Sequence, residues 1–224
     1  MEQFKRLSSL IGSEKLKQLN NKTVMIFGLG GVGGYVVESL ARSGIGKLII
    51  IDNDTIDITN INRQLISTLD NVGNLKTDEW EKRIKQINSN IIVIKYNLFV
   101  LPNVINEIDF NNVDYVVDAI DTVTAKISII EKCKELNIPI ICSCGTGNKV
   151  DPMRFKITDI SKTSVDPLSR VLRIELRKRN IKDVSVLFSD ETPIIKEKTP
   201  ASICYTIGIA GLLISKKVID DLLK

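Results

Sequence analysis

The stretch TVMIFGLGGVGG at residues 23–34 decides the fold of this 224-residue chain. A short apolar run, Val24-Met25-Ile26-Phe27, delivers the backbone into Gly28-Leu29-Gly30-Gly31-Val32-Gly33-Gly34. A helical pattern follows over 32–41, with Val36, Val37 and Leu40 at one-face spacing. Strand, glycine turn and helix together make a phosphate-binding device. Gly28 permits the tight turn, Gly30 lets a phosphate approach the backbone, and Gly33 lets helix and strand pack closely. The free N–H groups and positive dipole end of the helix favour an anion there. Ile49-Ile50-Ile51-Asp52 supplies a second strand ending in an acid suited to ribose hydroxyls. The pattern indicates an adenine nucleotide, without saying which one.

Composition bounds the rest. The length fits one domain, residues 1–224. Within it, 1–22 read as N-terminal helices, 23–150 as the nucleotide-binding core and 151–224 as a substrate-side extension with a closing helix. Hydrophobic residues are 43%, enough for a packed core, and the aromatic share of 5% points to an aliphatic one. A net charge of +4 permits a nucleic-acid partner without requiring one. The apolar stretch at 207–214 is too short to span a bilayer, so no membrane role is expected. Residues 1–20 are polar and charged and show no signal peptide, so a cytoplasmic enzyme is expected. There is no His, which excludes His-based acid–base chemistry, Ser–His or Cys–His catalysis and His-ligated metals. Cys133, Cys142, Cys144 and Cys204 form no C-x-x-C pair, and read as small residues in a reducing compartment.

Apolar runs and helical periods alternate along the chain. Two short amphipathic helices fill 1–20, broken at Gly12-Ser13. Helices are then expected over 32–43, 74–88, 101–108 and 124–136, and strands over 47–51, 91–96, 113–119 and 138–142. This βαβα order, with strands apolar on both faces, calls for an α/β fold: a Rossmann-like, mostly parallel sheet flanked by helices. Past Asp151-Pro152 the segments 154–160 and 184–188 alternate in polarity, as strands with one wet face do. They are expected as an antiparallel C-terminal extension. Asp166-Pro167 opens a helix to about 179, and a last helix covers 205–223.

A lone G-x-G-x-x-G serves dehydrogenases, methyltransferases and adenylating enzymes alike. The loop after Asp52 discriminates, because ligands of open sheets bind at the carboxyl ends of the strands. That loop presents Asn60, Arg63 and Gln64, and Arg63 suits phosphate oxygens. Lys76 opens the next helix, and Asp121 ends a later strand where it would hold Mg²⁺. Each has a plainer reading: Asn60 as a turn former, Lys76 as a solvated helix residue, Asp118 or Asp121 as a helix cap. Together, at one sheet edge, they favour a triphosphate site with an added cation.

These residues resemble the ubiquitin-activating-type (ThiF/MoeB/HesA) superfamily of adenylyltransferases. The matching motifs are GLGGVG at 28–33, IDNDTI at 51–56, TNINRQ at 59–64, VGNLK at 72–76 and VVDAIDT at 116–122. The resemblance implies that Gly28, Gly30, Gly31, Gly33, Asp52, Asn60, Arg63, Gln64 and Lys76 bind ATP and that Asp121 binds Mg²⁺. It further implies a homodimer whose N-terminal Arg, here Arg6, reaches the partner's site; a solvated helix residue is the plainer reading. Arg63, Lys76, Asp121 and Arg6 would then carry catalysis, by stabilising charge while a carboxylate attacks the α-phosphorus of ATP.

The second half selects the carboxylate. Activators of sulfur-carrier proteins usually have paired C-x-x-C zinc ligands, which 151–200 lacks. The segments at 145–179, 186–193 and 198–214 resemble instead the branch that dehydrates threonylcarbamoyladenosine in tRNA, with ATP. That branch implies a tRNA carrying this nucleoside as substrate and a sulfur-relay protein as a further partner. Residues 194–197 look shorter than in relatives, which bears on the substrate lid. Independently, Arg170, Arg173 and Arg177 share a helix face at i, i+3, i+7, with Lys178, Arg179 and Lys182 beyond them. Such a strip is usually a solvated face; beside an adenylating site it suits a tRNA backbone. The rivals are an activator of a ubiquitin-like carrier protein, a nicotinamide dehydrogenase and a non-catalytic nucleotide-binding scaffold.

Overall fold

β1 (Thr23–Phe27) is apolar from Val24 onward, and the computed structural model buries it on both faces. Val24 and Ile26 point into one hydrophobic core, Met25 and Phe27 into the other. A strand with two buried faces needs cover on both sides, and the chain supplies it. The structure describes residues 2–193 and 200–224.

After the N-terminal helices α1 (Lys5–Ile11) and α2 (Ser13–Asn20), β1 leads through the glycine turn into α3 (Gly31–Arg42). β2 (Lys47–Ile51), α4 (Lys76–Ile87), β3 (Ile92–Tyr96), β4 (Tyr115–Asp118), α5 (Val123–Glu135) and β5 (Ile140–Ser143) follow. β6 (Phe155–Asp159), α6 (Pro167–Lys178), β7 (Ser185–Ser189) and α7 (Cys204–Leu222) complete the order. The seven strands form one sheet in the order β3-β2-β1-β4-β5-β7-β6. α3, α4 and α7 cover one face, where Trp80, Leu40 and Ile214 are fully buried. α5 and α6 cover the other with Ile129, Ile130 and Leu172. Each such side chain contributes roughly 1.5–3 kcal/mol over its exposed state.

One expectation is corrected. The segment 101–108 forms only a 3-10 turn, Ile105–Glu107. Ile105 and Ile108 are buried by tertiary packing without a full turn of helix around them. The extension forms the expected antiparallel pair, β6 on β7, and β7 also pairs parallel with β5. Residues 151–224 thus prolong the nucleotide-binding sheet. The segment 194–197 lies outside the described residues.

Candidate active site

The chain order reverses between β1 and β4, the crevice where open sheets bind ligands. There the glycine turn is shaped by contacts that no side chain tolerates. Gly28 has φ +84°, and a Cβ on it would lie 2.8 Å from the Ala119 carbonyl oxygen. A Cβ on Gly33 would collide with the Gly28 carbonyl. Gly33, which the resemblance also gives as an ATP-binding residue, does not itself line the cleft; it packs helix against strand. Gly31 lines the cleft and passes under α7, where a Cβ would meet Ile207 Cγ2 at 2.5 Å. At Gly30 the nearest obstacle to a Cβ is Gln64 Nε2, at 3.6 Å, so the backbone there is open to a ligand. Asp52 follows β2 and clamps this turn: its carboxylate accepts the Leu29 N–H at 2.6 Å and the Asp54 N–H at 2.8 Å.

The predicted polar cluster converges on a cleft of about 970 Å³ lined by Gly28, Asp52, Asn60, Arg63, Lys76 and Asp121. Asn60 is buried, and its Oδ1 accepts the Asp57 N–H in a capping box, so the turn-forming reading holds alongside the lining one. Arg63, half-buried at the cleft wall, reaches Thr59 O at 2.8 Å and Asn62 Oδ1 at 3.0 Å. Gln64 is buried, and its Oε1 has no partner among the described residues. A buried orphan acceptor in a cleft suits a ligand donor. Lys76 is 3% exposed and pairs with Asp54 at 2.7 Å, so it is no solvated helix residue. Thr122, not Asp121, occupies the N-cap of α5, which leaves Asp121 exposed at the cleft wall.

The cleft continues past β5 along Ser143, Cys144, Gly145, Thr146 and Lys149 to Asp166 and Leu168 at the start of α6. The sequence signals Asp166 only as a cap. It does cap α6, accepting Ser169 N–H and Oγ–H at 2.6 Å each, and it also accepts the Gly145 N–H at 3.3 Å. Lys149 is a site residue that the sequence reading misses: it is 2% exposed and donates to the Glu191 carbonyl. Burial lowers its pKa although Asp166 and Glu191 act the other way. Only its position after a Gly-x-Gly run hints at it. Burial pushes the Cys144 thiol up to about 11 and raises Cys142 well above the ordinary thiol value, so neither is a thiolate at neutral pH. Cys204 is exposed and lies 2.9 Å from the Tyr35 hydroxyl.

Arg6 is exposed on α1 and does not line this chain's own cleft. On α6, Leu172 and Leu176 are buried, while Arg170 and Arg177 are exposed without side-chain partners among the described residues. Arg173 departs from the expected strip: it holds Thr163 O at 2.8 Å and Thr163 Oγ1 at 2.6 Å, a structural tie. Lys178 pairs with Glu175, and Arg179 pairs with Glu175 and Glu131. Among the described residues no group of three or more Cys, Asp or Glu is arranged to hold a metal alone.

The model of the ThiF family matches residues 4–223. A Bacillus subtilis protein named tRNA threonylcarbamoyladenosine dehydratase is 41% identical over 243 residues, covering 100% of this chain and 96% of the relative. A Haemophilus influenzae protein of the same name is 37% identical over 247 residues, covering 100% and 94%. The crystal structure of the Escherichia coli tRNA N6-threonylcarbamoyladenosine dehydratase in complex with ATP superposes with a TM-score of 0.93 at 30% identity, covering 99% of this chain and 93% of that one.

Proposed function

This chain belongs to the ThiF family, and on that premise we propose that it dehydrates threonylcarbamoyladenosine in tRNA, using ATP to adenylate the threonyl carboxylate. One observation carries the reading. The glycine turn, Arg63, Lys76 and Asp121 share a cleft with the Gly145, Lys149 and Asp166 rim, so nucleotide and acceptor fit side by side. The relatives covered over nearly their whole length carry the same activity in their names.

The substrate carboxylate, already ionised, attacks the α-phosphorus of ATP; an O–P bond forms and the bond to pyrophosphate breaks. No general base is needed, which suits a chain without His. The ureido group of the same side chain then displaces AMP, closing the ring and releasing one proton. That nucleophile is intramolecular, so no enzyme thiol takes part. The open backbone at Gly30 and the orphan Gln64 Oε1 receive the nucleotide. Lys76 exchanges Asp54 for a phosphate oxygen, and Arg63 adds a second cation. Among the carboxylates lining the cleft, Asp121 is exposed at its wall and would hold Mg²⁺, which would supply charge neutralisation for the leaving pyrophosphate.

Arg6 serves the cleft of a second copy in a homodimer; half-exposed Tyr205 and Leu212 on α7 supply apolar surface for that contact. Arg170 and Arg177 begin two residues beyond Leu168 of the cleft wall and track the tRNA backbone. No described helix is long and apolar enough to cross a membrane, and the reaction belongs in the cytoplasm with its tRNA and ATP. Pyrophosphate exchange tests the reading: stimulation by tRNA bearing the modified nucleoside is expected. Stimulation by a Gly-Gly-ended carrier protein and not by tRNA would replace it with the carrier-activating alternative.

A further inference from the structure

Lys126 lies on α5, outside the cleft, and its side chain is fully buried. Burying an ammonium is unfavourable unless it is paired, and an aliphatic side chain would fill the space without that cost. Its contacts show what the charge holds. Nζ donates to Asp118 Oδ2 at 2.9 Å and to the Ser143 carbonyl at 2.7 Å. Asp118 Oδ1 in turn accepts the Ile120 N–H at 3.1 Å. Asp118 is the last residue of β4 and Ser143 the last of β5. The final register pair between these strands is Asp118 with Cys142, so beyond it no ladder holds the two strand ends together. One continuous chain of hydrogen bonds replaces the ladder: Ile120 N–H donates to Asp118, and Lys126 donates both to Asp118 and to Ser143 O. Asp121 follows on the first side, and the acceptor rim at 144–149 follows on the second. Burial opposes the ammonium, while Asp118, with Cys142 and Cys144, acts the other way, and the net shift of the Lys126 pKa is upward.

We propose that Lys126 is a positioning residue that fixes the acceptor-side rim relative to the nucleotide-side loop carrying Asp121. It touches neither substrate. The proposal rests on the adenylation reading above, and wild-type activity in the same assay reports on that reading separately.

The test is the double variant Asp118→Asn with Lys126→Met, which removes both charges while the new amide oxygen can still accept from the Ile120 N–H. The melting temperature and ATP dissociation constant are expected to stay close to wild type, while kcat for dehydration of modified tRNA falls at least about tenfold. Wild-type kcat in the folded double variant would overturn the proposal, leaving the pair a core contact only. A second measurement needs no variant. In the wild-type enzyme, ATP is expected to slow exchange of the Ile120 and Cys144 amides by the same factor, because the clamp couples their openings. The Cys144 amide lies across the clamp and bonds Leu187 O at 2.8 Å. ATP slowing Ile120 alone would equally overturn it.

Discussion

Lys76 Nζ sits 2.7 Å from Asp54 Oδ2, yet the lysine side chain is 4% exposed and the aspartate 57%. The ammonium is therefore held at the cleft by a partner that water can readily satisfy. Lys76→Met should leave stability nearly unchanged, because Asp54 can hydrate. Pyrophosphate exchange should fall about 10²–10³-fold, as when one preorganised charge is removed from a transition state. Exchange kinetics beside a melting curve check both halves.

The contact between Gly33 and Gly28 gives a sharper structural prediction. A methyl at 33 meets backbone, not a movable side chain. Gly33→Ala should destabilise by at least about 1–3 kcal/mol and abolish ATP binding, because the strand and helix must part. Gly73→Ala is the informative contrast. Unlike Gly33 it has positive φ, +90°, but nothing lies within 4 Å of an added Cβ, so backbone strain acts alone and ATP binding should survive.

Acid stability should report Glu38, which ties α3 to α4 through Arg83 at 2.9 Å and also pairs with Arg42. Burial raises its pKa, but the Arg83 and Arg42 hydrogen bonds outweigh it and hold the carboxyl below its ordinary value of 4.5. A carboxylate with a depressed folded pKa stabilises above the unfolded value and loses that contribution as pH falls. Wild type should melt higher than Glu38→Gln at pH 7, and the gap should close as pH drops below 4.5. A gap that widens in acid would contradict this.

Cys144 and Cys204 should be dispensable. The first is neutral and buried; the second is exposed beside Tyr35, whose hydroxyl pKa burial and the thiol push up to about 12. Cys204→Ala should cyclise within about twofold of wild type, as surface substitutions usually do. Loss of cyclisation with adenylation intact would mean a covalent thiol step.

Reversing Arg170 and Arg177 to Glu should raise KM for tRNA about tenfold or more and flatten its salt dependence, leaving the ATP dissociation constant unchanged. Arg173→Ala should act differently, lowering the melting temperature through the lost Thr163 tie.

Much of this is legible in the sequence because it is local. Gly28, Gly33 and the apolar β1 declare a turn and a doubly covered strand within a dozen residues. Lys76 and Asp121 can be placed once the strand ends are known. What escapes depends on contacts across the sheet. Nothing in 101–108 says that packing of Ile105 and Ile108 would replace a helix. The alternation of β7 looks antiparallel, yet its neighbour on one side is β5, to which it runs parallel. Lys126 reads as an ordinary helix lysine until Asp118 and Ser143 are brought beside it. Arg173 looks free on a helix wheel because Thr163 lies outside the helix.

The most direct measurement is mass spectrometry of nucleosides from tRNA bearing threonylcarbamoyladenosine, after incubation with the purified protein, ATP and Mg²⁺. The account predicts that this nucleoside loses one water, with one AMP formed per event, and that Arg63→Ala suppresses both. An unchanged nucleoside, with ATP bound but not consumed, would contradict it.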